Sequence, residues 1–561
     1  MTTTPSDRDP EQLELTAEVE AQPPPRPWWA RVFRVLHPSH THSVFSASVL
    51  LAASSVASGL VGLARGKYIA WVFGAGPQTD AYMAAFRLPD LMNNFLVGGA
   101  VSITFVTILN RYRERGDEDE GERLLFTVLN LMVLVLAVAS IVLMFLAAPF
   151  VRWTNPGFPA AQVALCAHMT RILLPAQIFL FAGSVLGATL LVRKQFLYQA
   201  VTPILYNLFI IACGVLLHRR FGVSSLAVGA TAGFFFGSLG INAWGAARQR
   251  IRFRWQIDLR HPGLRTWLFM TLPLMFGFTL PFLDQYFAGF YASHGAGDIT
   301  RLANAKQLFS APMAMLAQAA GVASMPFFAQ LWAKEERYKF ATGVADSVSR
   351  VISLSLLATS AMIALSQPIV ELIFGGGRFT PGDVNLTAWF FAFYTLSLLA
   401  WSAQAIYARA FYAAGITWLP MLASTVILFV AFPLYGFGYR MWGAAGLALA
   451  SDAGILLQAL TLALLLHKRR MVSLASLDYG EMGRCLLSSC VGGAAAWLVA
   501  WALTALFHHL PRLAQFHHAR SIADTAILIG GIAVWTVVTM WVLDKSGSAL
   551  PKATMRRLRL G

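Results

Sequence analysis

The sequence predicts an all-α, polytopic membrane protein of about fourteen transmembrane helices: two pseudo-symmetric six-helix lobes plus two extra C-terminal helices. Three observations predict it. The 561 residues are 57% hydrophobic and only 12% charged, whereas soluble domains are roughly a quarter charged. Apolar runs long enough to cross a bilayer, about 20 residues each, recur along nearly the whole chain with short polar or basic connectors between them. The fourth to sixth runs also resemble the tenth to twelfth: Arg193…Pro203 and Gly222-Val-Ser-Ser-Leu-Ala-Val-Gly match Arg409…Pro420 and Gly443-Ala-Ala-Gly-Leu-Ala-Leu-Ala. A soluble fold is excluded.

Residues 1–42 begin acidic, pass through Pro23-Pro24-Pro25-Arg26-Pro27 and end in Trp28, Trp29, Arg31 and Arg34. Such a composition buries no core and contains no short apolar run of the signal-peptide kind, so a disordered cytoplasmic tail with an interfacial anchor is expected. Spans are expected at 44–73, 80–109, 124–150, 162–190, 197–217, 224–247, 266–292, 302–331, 345–374, 384–413, 418–437, 441–466, 482–507 and 521–543. The chain then divides into the tail, an N-lobe at 43–250, a C-lobe at 251–470, an added pair at 471–545 and a basic cytoplasmic tail at 546–561. Repeated bundles around a central cleft are a usual basis for alternating access.

Lys and Arg number 43 against 27 Asp and Glu, a net charge of +16. In a soluble protein that excess would suggest nucleic acid; here it falls in alternate connectors, as the positive-inside rule requires, and no nucleic-acid partner is expected. Arg111, Arg113, Arg115, Arg123, Arg193, Lys194, Arg248, Arg250, Arg252, Arg254, Lys334, Arg337, Lys339, Lys468, Arg469 and Arg470 all lie on the side expected to be cytoplasmic, together with both termini; Arg219, Arg220 and Arg512 break the pattern. The four cysteines, Cys166, Cys213, Cys485 and Cys490, sit inside apolar runs without metal-type spacing and read as packing residues. His508, His509, His517 and His518 read as a solvated connector better than as a metal site. No hydrolytic or metal-dependent catalytic set shares a face, so neither an enzyme nor a cofactor is expected.

An ionisable group inside a span costs a few kcal/mol even on lenient scales and marks a functional position. Arg65 interrupts the first run roughly 12 Å from its outer end, at about 1.5 Å per residue. The second run carries Asp80, Arg87 and Asp90 around Pro89, which frees backbone carbonyls inside a cavity. Asp284 lies between Pro281 and Gly289, and Lys306 and Gln307 precede Pro312. Arg65, Asp80, Arg87, Asp284, Lys306 and Gln307 are therefore the candidate substrate-binding residues. The competing reading is internal pairing, Arg87 with Asp90 or Asp284 with Lys306. A cavity lined by Arg and Lys favours an anionic substrate such as a diphosphate, which guanidinium groups bind through paired hydrogen bonds.

The segments Gly62-Leu-Ala-Arg65, Phe73-Gly-Ala-Gly76, Thr79-Asp80-Ala81, Phe86-Arg87-Leu88-Pro89-Asp90 and Phe105-Val-Thr-Ile-Leu109 resemble the MurJ (MviN) family. Asn155-Pro-Gly-Phe158, Asp284 with Ala292-Ser293, Pro312, Met325-Pro326, Arg378-Phe-Thr380 and Arg409-Ala-Phe-Tyr412 follow in matching order, so the resemblance covers residues 44–543. It implies a flippase of the multidrug/oligosaccharidyl-lipid/polysaccharide exporter superfamily that moves lipid II across the bacterial inner membrane for peptidoglycan assembly. It further implies fourteen spans, a groove for the polyprenyl tail in the last two, a cationic cavity for the diphosphate and sugar, and cycling driven by membrane potential or a coupling ion without ATP. Arg65, Asp80, Arg87 and Asp284 match the family. Gly59, Asn93 and Gln307 stand where members carry Arg, and Gly98 and Ser310 where they carry acids; Lys306 is the expected substitute for the arginine missing beside it. These departures keep two alternatives open: a flippase for another polyprenyl-diphosphate oligosaccharide, and a transport-inactive scaffold for envelope assembly.

Overall fold

The computed structural model describes residues 44–97, 100–251, 253–275, 280–508, 519–548 and 550. The expected amino-terminal tail, Gly98, Arg252, His509, Arg512, His517, His518 and residues 551–561 lie outside them. Among the described residues there is an isolated bridge, Gly376 with Phe379, and no strand. Helices account for nearly everything else, because a chain crossing hydrocarbon must satisfy its backbone groups internally.

A first set comprises α1 (Val44–Phe73), α2 (Pro77–Ala85), α3 (Arg87–Met92), α4 (Ala100–Glu114), α5 (Glu118–Thr154), α6 (Ala160–Leu173), α7 (Ala176–Val192), α8 (Phe196–Phe221), α9 (Ser224–Ala232) and α10 (Ile241–Arg248). A second comprises α11 (Pro262–Met275), α12 (Leu280–Ala292), α13 (Asp298–Pro312), α14 (Ala319–Ala333), α15 (Arg337–Ala364), α16 (Ser366–Phe374), α17 (Pro381–Leu396), α18 (Leu398–Ala413) and α19 (Trp418–Lys468). Then α20 (Tyr479–His508) and α21 (Ala519–Lys545) pack on each other and on α15 and α16. Eleven helices among the described residues are long and apolar enough to cross a membrane. The expectation of about fourteen spans also counted 80–109 and 266–292, which contain residues 98–99 and 276–279, outside the described ones, and divided 418–468 in two.

The breaks have physical causes. Pro89 and Pro312 remove backbone donors, and π-helical turns follow at Asn93–Val97 and Met313–Gln318. Within α19, Trp442 and Gly443 leave helical geometry. The arms on either side pack so closely that a β-carbon on Gly446 would overlap the Gly438 carbonyl. The 51-residue helix is thus a hairpin.

The internal repeat is visible in the backbone. Gly222 has φ 54° and ψ −136°, and Gly443 has φ 59° and ψ −141°, a region open in practice to glycine alone. Helix ends at Lys194 and Gly415, and at Arg250 and Arg470, pair in the same way: all four residues have positive φ. Each is followed by a long-range backbone bond of the Schellman type, as in Gln195 N–Leu190 O at 2.8 Å and Ile416 N–Phe411 O at 2.9 Å. These landmarks lie roughly 220 residues apart. The structural register therefore differs from the sequence match of Arg193 with Arg409: Arg193 occupies the turn, whereas Arg409 lies within the last turns of α18.

The two sets share their core unequally. At one end a continuous apolar cluster contains Ile69, Tyr82, Phe158 and Ile210 from the first set and Ile299, Phe309, Phe374, Phe390 and Tyr435 from the second. At the end carrying the basic connectors the cores are separate. One is built around Phe105, Phe126, Phe181 and Trp267, the other around Phe328, Phe340, Phe411 and Leu462. Trp267 shows that α11 packs with the first set, although it follows the expected boundary at 250; α12 packs instead on α19. The intervening segment is an extended strap fixed by the Asn130 amide, which donates to the carbonyls of Arg254 (2.9 Å) and Gln256 (3.0 Å).

Replacing Gly446 by Val is expected to cost roughly 1–3 kcal/mol, as forced overpacking does, and to lower the thermal unfolding midpoint of the purified protein. Gly59→Ala, whose added carbon meets nothing within 4 Å, is the control expected to leave that midpoint in place.

Candidate functional site

A cavity of about 300 Å³ lies between the two sets. Of the six candidate residues, Arg65, Arg87, Asp284, Lys306 and Gln307 line it, with Tyr82, Phe86, Tyr206, Gln285, Asn304 and Tyr394. The interrupted helices α2–α3 and α12–α13 supply most of the wall, so the prolines that break the helices also place the charges.

The three cations are held differently. Arg87 is 5% exposed; its guanidinium donates to Asn155 Oδ1 and lies against Gly289, where any β-carbon would displace it. The Tyr286 hydroxyl donates to the Arg87 carbonyl at 2.8 Å. Of the two internal pairings that compete with the substrate-binding reading, Arg87 with Asp90 is absent among the described ion pairs and Lys306 with Asp284 is present. Lys306 is paired with Asp284, whose other carboxylate oxygen accepts from the Tyr435 hydroxyl. Arg65 makes no hydrogen bond or ion pair among the described residues, and its Nε is buried without a partner. Gln307 lines the cavity but turns its amide to the Gly62 carbonyl at 3.1 Å, stitching α13 to α1.

Asp80 does not line the cavity, contrary to the sequence expectation. It is 1% exposed and accepts from Gly297 N (2.6 Å), Thr300 N (2.8 Å) and Thr300 Oγ1 (2.7 Å). These donors belong to the first turn of α13, whose backbone N–H groups have no partner within the helix. A carboxylate from the first set thus caps a helix of the second, where the helix dipole also favours it. The reciprocal contact is made by Lys67, whose Nζ donates to Leu372 O (3.3 Å) and Gly375 O (2.5 Å) at the carboxyl end of α16. Beside it Arg378 N donates to Trp71 O at 2.9 Å. Both contacts lie at the end with the shared core.

Sequence reasoning passed over Lys67, Tyr435 and Asp452. Asp452 lies within α19 close to Asp284 and Lys306 and beside Ser397, with both carboxylate oxygens shielded from solvent. An acid within an apolar run was the available signal. A second, larger cavity of about 1040 Å³ runs between α15–α17 and α20–α21, lined by Trp389, Trp497, Trp501, Leu486 and Phe507, with Glu371 and Asp524 also on its wall.

Repeated helix sets that enclose a cation-bearing cavity define a membrane transporter, and solved structures show the same fold. A lipid II flippase MurJ in an inward closed conformation superposes with a TM-score of 0.71 at 20% identity, covering 89% of this chain and 99% of that one. A multidrug resistance MATE family transporter of the MOP superfamily gives 0.59 at 16% identity, over 76% and 98%. The sequence profile of the lipid II flippase MurJ family matches residues 69–514: the chain belongs to that family. A relative from Burkholderia cenocepacia, "Lipid II flippase MurJ", is 27% identical over 76% of this chain and 84% of its own length. One from Vibrio cholerae, "Probable lipid II flippase MurJ", is 24% identical over 81% and 89%.

If Asp80 and Lys67 hold one end shut, Asp80→Ala should release it. In a background without the four native cysteines, a cysteine replacing the fully buried Ala292 is expected to react with a maleimide several-fold faster once Asp80→Ala is added, an increase that Arg484→Ala, at the exposed start of α20, should not reproduce.

Proposed function

We propose that the chain is a flippase carrying lipid II from the cytoplasmic to the periplasmic leaflet of the bacterial inner membrane by alternating access, with both termini cytoplasmic. The observation that carries this reading is Arg65: a cation without a partner among the described residues, on the wall of a cavity between two repeated helix sets. Arg65 is half-buried with its Nε shielded and unpartnered; a charge held at such depth without a partner is costly, and an anionic head group is the partner that relieves it. Diphosphate oxygens suit guanidinium donors. The names of the family and its relatives support the same substrate.

On this reading the head group sits among Arg65, Arg87 and Lys306, and the polyprenyl tail lies in the aromatic-lined groove bounded by α20 and α21. The moving lobes are 43–250, together with the segment to 275 that packs on it, and the rest of 251–470; 471–545 is the tail-binding addition. Release of the Asp80 and Lys67 contacts would open the periplasmic end. A ligand drives such a change only by binding the two states differently.

A second reading, a flippase for another polyprenyl-diphosphate oligosaccharide, is favoured by Gln307, which stands where the family carries Arg and offers its amide to the Gly62 carbonyl instead. Expression in cells depleted of their own lipid II flippase separates the two: restored growth supports lipid II, and failure of a correctly inserted protein favours the second substrate. In the rescued cells Arg65→Ala is expected to abolish growth while membrane levels stay normal; full growth of that variant would contradict the assignment of the cavity.

A further inference from the structure

We propose that Asp284 is a resident competitor for the substrate's diphosphate, occupying Lys306 in the empty carrier and reclaiming it to expel the lipid. The proposal rests on the reading above and deepens it. Three features carry it.

The first is that the ion pair is lopsided. The Lys306 side chain is 40% exposed and faces the cavity, whereas Asp284 is 4% exposed. Asp284 is fixed from behind by the Tyr435 hydroxyl on its second oxygen. Lysine holds its charge on a flexible four-carbon stem, so Lys306 can swing toward a ligand and Asp284 cannot follow. Separation leaves the carboxylate with the Tyr435 hydroxyl and beside a second acid, Asp452, in a site shielded from water, a condition that pulls the ammonium back.

The second is the charge of the wall. The residues that line the cavity include Arg65, Arg87 and Lys306 against Asp284, three cations to one carboxylate, a formal net charge of +2 on the wall itself, with Asp452 behind it and outside the lining. A diphosphate esterified at both ends bears two negative charges and matches it. Without Asp284 the wall would be more cationic than its ligand, and a carrier that binds too firmly does not release.

The third is that the other cations face no such rival. Arg87 is held by the neutral Asn155, and Arg65 by nothing among the described residues. Competition therefore acts at Lys306.

The measurement is affinity in detergent for a short-chain polyprenyl diphosphate esterified to a sugar, alongside growth rescue in depleted cells. Asp284→Asn is expected to bind the probe about tenfold tighter, the gain from freeing one charge-assisted contact, yet to rescue growth less well than the native chain. Lys306→Gln is expected to weaken binding, and in that background Asp284→Asn should add nothing, because the contested cation is gone. Asp284→Ser, which leaves Tyr435 an acceptor, takes the same place in the cycle if the Asn variant does not purify. Unchanged or weaker affinity in the Asp284 variants, or the same gain with Lys306 absent, overturns the proposal and leaves the flippase reading standing. Native protein that binds no diphosphate probe at all overturns both.

Discussion

Positive charge inside hydrocarbon has to be answered by something, and each cation of this cavity is answered in its own way. Insertion of Arg or Lys at mid-membrane depth costs a few kcal/mol even where water and snorkelling relieve it. Arg87 meets the cost with Asn155 and with the open face of Gly289, Lys306 with Asp284, and Arg65 with no protein group among the described residues. The helices bend to the same end. Pro89 and Pro312 with their π-helical turns interrupt the stretches that carry the charges, which widens the space between the two sets and keeps the cations away from lipid. Broken helices are tolerated at such depth because they line a cavity and not the bilayer.

That arrangement makes the asymmetry between the two ends intelligible. At the end with a shared core the two sets are joined by more than apolar contact, since Asp80 caps the start of α13 and Lys67 covers the finish of α16. Helix termini suit this purpose. Their unpaired N–H and C=O groups form sites of opposite sign without any buried counter-charge, so parting the contacts uncovers one ion at each on the first set and only dipoles on the second. At the other end the cores are separate clusters, and α11 stays with the first set while α12 joins the second. One continuous core at one end and two separate cores at the other are the arrangement expected of a carrier closed at the first end, two packings of one set on the other being the general basis of rocking.

Much of this was legible in the sequence. Hydropathy placed nearly every helix, with α1 matching the expected 44–73, because the bilayer sets length and composition so strictly. The charged positions were legible for the same reason: an ionisable residue in an apolar run is conspicuous, and five of the six candidates do share one cavity. What could not be read was the partner of each charge. Asp80 and Arg65 are both conspicuous in the sequence as charges within apolar runs, but one is fully engaged across the helix sets and the other has no partner among the described residues. Only the packing of α2 against α13 separates them. The repeat was legible at Gly222 and Gly443, where backbone geometry demands glycine, and misaligned at Arg193 and Arg409, where chemical likeness stood in for position. The hairpin inside 418–468 followed from its length, whereas the turn at Phe86 inside 80–109 did not, because a proline such as Pro89 announces a break without saying where it falls or whether the helix resumes.

The departures from the family pattern now have a physical description. Gly59, Asn93 and Gln307 stand where the resemblance to the family leads one to expect arginine, and Gly98 and Ser310 where it leads one to expect acids, so the chain departs from that expectation in both signs of charge. None of the described positions leaves a hole shaped for a guanidinium: a side chain at Gly59 would meet open space, and Gln307 spends its amide on the Gly62 carbonyl. Asn93 lies in a π-helical turn with its side-chain oxygen buried and unpartnered, a polar position without charge. The number of arginines is therefore a poor guide to what such a cavity binds. What matters is charge left unmatched when the cavity is empty. By that measure Arg65 offers one full cation, Arg87 one softened only by a neutral amide, and Lys306 one that must first be won from Asp284.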